Sequence, residues 1–189
     1  MNFEQDIQQS LIVLRAGGII LYPTDTIWGI GCDAMNREAV EKIFSLKQRP
    51  DNKSMIVLLA NERDLITYVS APDMKVFEYL DKVQKPTTII YEGAIGLADN
   101  LISNDGTIGI RIVKDAFCNH LIKRLGKPLV STSANRTGQS TPKSFQEIDQ
   151  TMRRGVDYCV KYRQDDVSPQ QPSSVVKWNK DGTVTVIRP

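Results

Sequence analysis

The sequence predicts a single α/β domain built on a mixed sheet. Short apolar runs that suit buried strands alternate along the chain with longer segments of helical periodicity. The length of 189 residues and a hydrophobic fraction of 41% suffice for one well-formed core. No internal repeat and no long linker divides the chain, so we expect residues 1–189 to form one domain.

The first half of the chain opens with a helix, a strand and a second helix. Residues 3–16 carry apolar side chains at helical spacing and stop at Gly17-Gly18, a pair typical of helix ends. The apolar run at residues 19–22 predicts a strand that is buried on both faces. Asn36 is placed to cap a second helix that ends at Lys47. Further strands are expected at residues 55–59, 87–91 and 107–112, and further helices at residues 61–68, 72–83 and 115–125, with Pro72 at the first helical position.

The second half of the chain ends in a hairpin. Residues 128–131 predict a short strand, and the capping-box spacing of residues 144–147 predicts a helix that ends near Gly155. Strands expected at residues 173–178 and 183–188 flank an Asp-Gly turn, which indicates a hairpin. Because a hairpin joins antiparallel strands, we expect the sheet to be mixed.

Composition and charge exclude several classes of protein. Lys and Arg number 24 and Asp and Glu 22, so the net charge of +2 argues neither for nor against a polyanion partner. No apolar run approaches the roughly 18 residues needed to cross a bilayer, and the acidic N-terminal segment is unlike a signal peptide. Cys32, Cys118 and Cys159 form no CxxC pair, which excludes a thiolate zinc site and suits a reducing compartment. We therefore expect a cytoplasmic protein with no membrane partner.

A cluster of cations follows the second predicted helix. Lys47 continues the apolar stripe of that helix, so it faces inward, either in a charged cleft or with its stem over the core and its amine in water. Arg49 and Lys53 bring the cluster to three cations within seven residues. Such a cluster suits phosphates or carboxylates, although the carbonyl end of a helix alone would also attract cations.

Two polar segments each follow a predicted strand. The Pro-Thr-Asp-Thr segment at residues 23–26 follows the strand at residues 19–22, and a Ser-Thr-Ser-Ala-Asn segment at residues 131–135 follows the strand at residues 128–131. Ligands of open α/β sheets bind at the carboxyl ends of strands. Each segment alone would also suit an ordinary polar turn, but the two together predict one cleft.

Three familiar kinds of site are discounted. Residues 29–34 match the dinucleotide fingerprint GxGxxA, but seven residues, 22–28, separate these glycines from the apolar core of the strand before them. The P-loop pattern is absent from the sequence. His120 is the only histidine, which argues against a Ser-His-Asp hydrolase.

Three motifs in order resemble the YrdC family, including its YciO branch. They are YPTDTIWGIGCDA at residues 22–34, LKQRP at residues 46–50 and KPLVSTSANRTG at residues 127–138. The resemblance extends to the SSVV segment at residues 173–176 and fits the short, single-domain form. It implies a twisted, open mixed sheet with a large, basic, concave cavity. The implied activity is L-threonylcarbamoyladenylate synthesis, in which L-threonine, bicarbonate or CO2, and ATP give threonylcarbamoyl-AMP and pyrophosphate.

The resemblance also implies roles for individual residues. Lys47 and Arg49 would be catalytic. The ATP site would comprise Lys53, Thr88, Ser131, Ser133 and Asn135. The L-threonine site would comprise Thr26, Arg111 and Ser133. Mg²⁺ would be carried by the ATP phosphates rather than by a metal site of the protein.

The partners implied by the resemblance are RNA and a second enzyme. A transferase complex would pass the threonylcarbamoyl group to an adenosine of tRNA, and the family is also described as binding double-stranded RNA. The alternative is a YciO-like paralogue that binds double-stranded RNA or ribosomes without this turnover. The joint presence of Lys47, Arg49, Ser133 and Asn135 favours the enzyme, because RNA backbone binding needs charge but no pocket of small hydroxyls.

Overall fold

The computed structural model describes residues 3–48, 55–168 and 171–189, so the predictions for Arg49 and Lys53 lie outside the described residues. Within these ranges, nine strands form one sheet. The strands are β1 (Ile20–Tyr22), β2 (Gly29–Gly31), β3 (Ile56–Leu59), β4 (Thr87–Glu92), β5 (Thr107–Ile112), β6 (Leu129–Ser133), β7 (Tyr158–Cys159), β8 (Ser174–Trp178) and β9 (Val184–Arg188). The α-helices are α1 (Glu4–Arg15), α2 (Arg37–Lys47), α3 (Leu65–Tyr68), α4 (Lys75–Lys82), α5 (Ala116–Leu125) and α6 (Gln150–Arg154).

The sheet is mixed, as the sequence predicts. Its strand order is β7-β1-β2-β6-β3-β5-β4-β8-β9. The pairs β1 and β7, β3 and β5, and β4 and β8 are parallel, whereas the hairpin strands β8 and β9 are antiparallel. Because β6 lies between β2 and β3, its end meets the segment that connects β1 to β2. The two polar segments that the sequence singles out therefore lie near each other.

Side chains that accept from backbone N–H groups begin two of the predicted helices. The Asn36 side chain accepts from the N–H of Ala39 at 3.0 Å, and the Asp115 carboxylate accepts from the N–H of Cys118 at 2.9 Å. These caps use groups that have no partner within the helix itself. The predicted starts of α2 and α5 are confirmed.

The prediction of a helix starting at Pro72 is wrong, because α4 begins only at Lys75. The side chain of Asp73 accepts from the N–H of Lys75 at 2.9 Å and so sets this later start. The residues expected to form one helix at 61–68 divide into a 3₁₀ turn at Glu62–Asp64 and the short α3.

The capping-box prediction at residues 144–147 is also corrected. The Glu147 carboxylate accepts from the N–H of Lys143 at 2.8 Å instead of closing a box with Ser144. The chain forms only a 3₁₀ turn there, and α6 starts later, where Asp149 accepts from the N–H of Thr151.

Strand β2 is not anticipated from the sequence, because its residues are Gly-Ile-Gly. Gly31 faces the ring of Tyr22 on β1, and a Cβ at this position would lie 2.7 Å from Tyr22 Cε1 and 2.2 Å from the Val130 carbonyl oxygen. The Tyr22 hydroxyl crosses this space to donate to the Val130 carbonyl at 3.1 Å. The glycines of the GxGxxA match therefore serve close packing within a sheet, which agrees with the exclusion of a dinucleotide site.

The two faces of the sheet are covered differently. One face packs against α2 and the following segments through a large apolar cluster. On the other face, α1 and α5 cover Leu58 of β3 and Leu129 of β6. Side chains alternate along a strand, so Ile56 and Ser131, two residues from this pair, project from the same face. A cavity opens beside them.

Candidate active site

The cavity has a volume of about 270 Å³ and brings together residues from distant parts of the chain. Among the residues that line it are Thr26, Gly29, Ile56, Arg111, Ser131, Thr132, Ser133, Ser173 and Arg188. Of the predicted site residues that the structure describes, Thr26, Arg111, Ser131 and Ser133 line this cavity. The sequence prediction that two polar segments form one cleft is thus confirmed for Thr26 of the first segment and for Ser131 and Ser133 of the second.

The floor of the cavity is a row of paired strand residues. Ser131 of β6 lies opposite Ile56 of β3, and Ile56 lies opposite Gly109 of β5. On the neighbouring strand, a Cβ at Gly29 would lie 3.1 Å from the Ser131 hydroxyl oxygen. Gly29 lines the cavity without a side chain, whereas Gly109 permits close packing, because a Cβ there would lie 3.2 Å from Thr88 Cγ2 and 3.3 Å from Ile56 Cγ2.

Arg111 is the buried cation of the cavity, with 2% of its surface exposed. Its Nη1 donates to Thr26 Oγ1 at 3.1 Å, and its Nη2 lies 2.9 Å from Asp25 Oδ1 in an ion pair whose angle is outside hydrogen-bond geometry. Its Nε is buried and has no hydrogen-bond partner in the described structure. The guanidinium therefore has its charge compensated and retains unused donors for a ligand.

The hydroxyl of Thr26 is oriented by its neighbours. Thr24 Oγ1 donates its proton to the Ile27 carbonyl at 2.8 Å and accepts from the Thr26 N–H at 3.0 Å. The two threonine hydroxyl oxygens are 3.0 Å apart. Because the Thr24 proton is already used, the Thr26 hydroxyl donates to Thr24 and accepts from Arg111. The loop and the guanidinium are thereby held as one network.

Lys47 faces inward, as the helical stripe predicts, and is 1% exposed. The alternative in which its amine reaches water is wrong, because Nζ donates to the backbone carbonyls of Ser133 and Asn135. In addition, the N–H of Thr137 donates to the Lys47 carbonyl at 3.3 Å. Lys47 therefore fixes the backbone at the end of β6, next to the serines that line the cavity.

The segment at residues 131–135 is less of a loop than the sequence suggests. Ser131, Thr132 and Ser133 are the last three residues of β6, and β6 pairs with β2 and β3 on its two sides. Asn135 lies beyond the strand, where its Nδ2 donates to the carbonyls of Arg136 and Gln139 at 3.1 and 2.7 Å. In this structure Asn135 closes its own turn and is not among the residues that line the cavity.

Thr88 stands behind the cavity wall. It is 1% exposed, and its hydroxyl lies 2.9 Å from the hydroxyl of Ser173, which does line the cavity. Arg188 donates from Nε and Nη2 to the Ser173 carbonyl at 3.0 and 2.8 Å. Sequence reasoning missed Ser173 and Arg188 as site residues, although the predicted hairpin of β8 and β9 was a signal that they lie side by side.

A second cavity of about 500 Å³ lies on the other side of Asp25. Asp25 lines it together with Lys114, Asp115 and Arg163, whereas Arg111 lines only the first cavity. The Asp115 carboxylate accepts from Arg163 Nη1 at 3.0 Å. Burial raises the pKa of the Asp25 carboxyl, and the nearby Arg111 charge lowers it by less.

The three cysteines lie in surroundings that disfavour the thiolate form. Burial raises the thiol pKa of Cys32, Cys118 and Cys159, to about 11 for Cys159, so these thiols are poor nucleophiles at neutral pH.

Within residues 3–48, 55–168 and 171–189, no group of three or more His, Cys, Asp or Glu side chains is arranged to hold a metal ion. No helix in the same ranges is both long and apolar enough to span a membrane.

The fold and cavity define an α/β protein with a polar cavity on one face of a mixed sheet. A family model for Sua5, YciO and YrdC proteins, described as telomere recombination, matches residues 12–189. The chain belongs to this Sua5/YciO/YrdC family.

Curated relatives share most of their length with this chain. The chain is 39% identical over 147 residues to a threonylcarbamoyl-AMP synthase of Idiomarina loihiensis, covering 76% of this chain and 78% of the relative. It is 32% identical over 163 residues to a threonylcarbamoyl-AMP synthase of Pseudoalteromonas translucida, covering 85% and 87%.

Solved structures share the fold. E. coli YciO superposes with a TM-score of 0.83 at 26% identity, covering 97% of this chain and 88% of that one. P. abyssi Sua5 complexed with L-threonine superposes with a TM-score of 0.86 at 19% identity. That match covers 98% of this chain but only 54% of the Sua5 chain, so this chain spans about half the length of Sua5.

Proposed function

We propose that this protein is a threonylcarbamoyl-AMP synthase, a nucleotidyltransferase-type enzyme. The observation that carries the proposal is that Thr26, Arg111, Ser131 and Ser133 line one cavity in a chain whose curated relatives bear this name. Thr26 and Ser131 are 105 positions apart along the chain, so their convergence reflects the fold. A protein of the same fold has also been solved with L-threonine.

The reaction joins two anions. The amine nitrogen of L-threonine attacks the carbon of CO2 and loses a proton, which gives a carbamate. A carbamate oxygen then attacks the α-phosphorus of ATP, and the bond from this phosphorus to the β-phosphate oxygen breaks to release pyrophosphate. Cationic donors that hold both reactants lower their repulsion and align the attack.

The described residues suit this chemistry through charge and small donors. Arg111 and Thr26 would hold the threonine carboxylate, with Ser133 nearby. Ser131 would contact the nucleotide directly. Thr88 would act on the nucleotide through Ser173, and Asn135 through the turn that it closes. Lys47 supports the same end of β6 through two carbonyls and so contributes position as well as charge.

ATP is proposed as a substrate, with Mg²⁺ carried by its phosphates. Neither an enzyme nucleophile nor a metal site of the protein is needed for this route. We propose that the protein acts in the cytoplasm. There a transferase complex would move the threonylcarbamoyl group of the product to tRNA. Binding of double-stranded RNA is part of the proposal only as a weak, charge-driven contact.

The first prediction is that the purified chain releases pyrophosphate from ATP, bicarbonate and Mg²⁺ only when L-threonine is present. The measurement is coupled pyrophosphate detection, with mass spectrometry of the adenylate product. Arg111→Lys should lower this rate at least tenfold, because a lysine cannot replace a planar fork with several fixed donors. The matched control is Arg124→Lys on the exposed surface of α5, which should leave the rate unchanged.

Pyrophosphate release that does not depend on L-threonine would contradict the proposal. The same assay with other amino acids distinguishes a related enzyme from a binding protein. If no amino acid supports release while duplex RNA binds tightly, the chain is instead a YciO-like module without this turnover.

A further inference from the structure

We propose that Asp25 is a positioning residue for L-threonine: its carboxylate holds the Arg111 guanidinium in the orientation that meets the threonine carboxylate. The proposal rests on the proposed function and deepens it. Asp25 lines the second cavity and not the first, so it acts on the ligand through Arg111 and not by contact.

The contacts of the guanidinium carry the argument. Nη1 is held by the Thr26 hydroxyl at 3.1 Å, and Nη2 is held by Asp25 Oδ1 at 2.9 Å. These two contacts, at different nitrogens, determine the orientation of the guanidinium plane of Arg111. Without Asp25, Arg111 would keep only one neutral partner and would be a buried charge with no counter-ion among the described residues, which is a costly arrangement that favours reorientation.

The neighbouring acid, Asp115, is not placed to hold the Arg111 guanidinium in the same way. Asp115 also lines the second cavity, but its Oδ2 is paired with Arg163 and its Oδ1 caps α5. The Asp25 side chain is 12% exposed, and that of Arg111 is 3% exposed, so water screens their attraction only weakly.

The charged surroundings of Asp25 predict how the pair responds to pH. Arg111 from β5 favours the ionised carboxylate, whereas Asp115 opposes it and burial opposes it most. Its pKa is therefore raised above the usual value of an aspartate. The other charged side chains around the second cavity are Glu62, Asp81, Lys85, Lys114 and Arg163. As pH falls, Asp25 takes up a proton earlier than an ordinary aspartate and releases Arg111.

The test compares Asp25→Asn with Asp115→Asn as the matched control. Both remove one carboxylate from the same cavity, and asparagine at 115 can still cap α5. Binding of L-threonine is measured by calorimetry, and the KM for L-threonine, the KM for ATP and kcat are measured by pyrophosphate release. We expect Asp25→Asn to weaken threonine binding tenfold or more while the KM for ATP changes less than threefold, and Asp115→Asn to change neither.

A second readout uses the unmutated chain, so the test does not depend on the folding of Asp25→Asn. Threonine affinity should begin to fall at a pH above about 4, the ordinary aspartate range, while the fold is retained by circular dichroism. The Asp25→Asn variant, where it folds, should lack this acid dependence.

The proposal is overturned if Asp25→Asn binds threonine as the unmutated chain does, or if threonine and ATP weaken equally in step with a lower melting temperature. It is also overturned if the affinity of the unmutated chain is flat down to about pH 4. Failure of the proposed function gives a different result: threonine then binds without pyrophosphate release, and the calorimetric comparison still decides the role of Asp25. A chain that binds no threonine at all overturns both.

Discussion

Lys47 and Arg111 are both buried cations, and the protein compensates them in different ways. Lys47 donates to two backbone carbonyls at the end of β6, whereas Arg111 pairs with the Asp25 carboxylate and the Thr26 hydroxyl. Carbonyl partners tie the lysine to the position of the backbone. A carboxylate partner ties the orientation of the arginine to the protonation state of Asp25, whose pKa is raised by burial.

The replacement Lys47→Met should lower both stability and turnover. Methionine preserves the volume but leaves the carbonyls of Ser133 and Asn135 without their donor, and each unpaired buried group costs about 1–3 kcal/mol. The end of β6 would then shift, and Ser133 with it. The measurements are the melting temperature and pyrophosphate release.

The control for Lys47→Met is Lys42→Met, five residues earlier on the same helix. Lys42 is exposed and donates to the Gly17 carbonyl at 2.8 Å, so its loss should change stability by less than about 1 kcal/mol. An Lys47→Met protein with unchanged melting temperature and reduced turnover would show that the lysine acts only on the substrates.

The sequence predicts the inward direction of Lys47 but not its partners. The apolar stripe of α2 determines which side of the helix faces the core, and this is a local property. The carbonyls that receive its amine lie 86 and 88 positions further along the chain. The same limit applies to Arg111, whose partner Asp25 becomes a neighbour only when β1 and β5 enter one sheet.

At the scale of elements, the sheet extends beyond its sequence signals. The predicted strand ends at Ser131, and Thr132 and Ser133 read as loop residues because small polar side chains favour turns. They belong to β6 because Ile30 and Gly29 of β2 pair with them. In the same way, β2 lacks β-branched residues at two of its three positions and is a strand through its neighbours alone. Tertiary pairing thus outweighs local propensity where the cavity is built.

The two glycines of β2 should respond differently to replacement by alanine. At Gly31 the new Cβ would lie 2.2 Å from the Val130 carbonyl oxygen, which belongs to the backbone of a strand in the same sheet and cannot rotate away. We therefore expect Gly31→Ala to lower the free energy of unfolding by about 1–3 kcal/mol or more, as overpacking does. At Gly29 the nearest atom is the Ser131 hydroxyl oxygen at 3.1 Å, which belongs to a side chain that can rotate.

Gly29→Ala should therefore retain most of the stability but crowd the cavity and raise the KM for a substrate. Urea unfolding gives the free energies, and pyrophosphate release gives the KM values. Equal destabilisation by the two replacements would contradict this division between a packing glycine and a cavity glycine.

At the scale of the whole molecule, charge is concentrated and not abundant. The net charge is only +2, yet the described cavity holds the cations Arg111 and Arg188, with Lys47 beneath the end of β6. Arg111 is compensated by Asp25, and Arg188 donates to a neutral carbonyl. Arg188 therefore keeps its full charge available to an anion at the mouth of the site.

This distribution predicts weak binding of RNA that competes with ATP. Without a large surplus of positive charge, contacts with phosphates must come from local cations, so log affinity should fall steeply with log salt concentration. The measurement is an anisotropy titration of duplex RNA at two salt concentrations, with and without ATP. Arg188→Gln should weaken RNA and ATP binding together. The control is Arg124→Gln on the exposed side of α5, which should reduce neither affinity by more than about twofold, because salt screens a surface charge far from the cavity. Tight RNA binding that persists at high salt and ignores both ATP and Arg188→Gln would place the RNA site outside the cavity and favour an RNA-binding module over the enzyme.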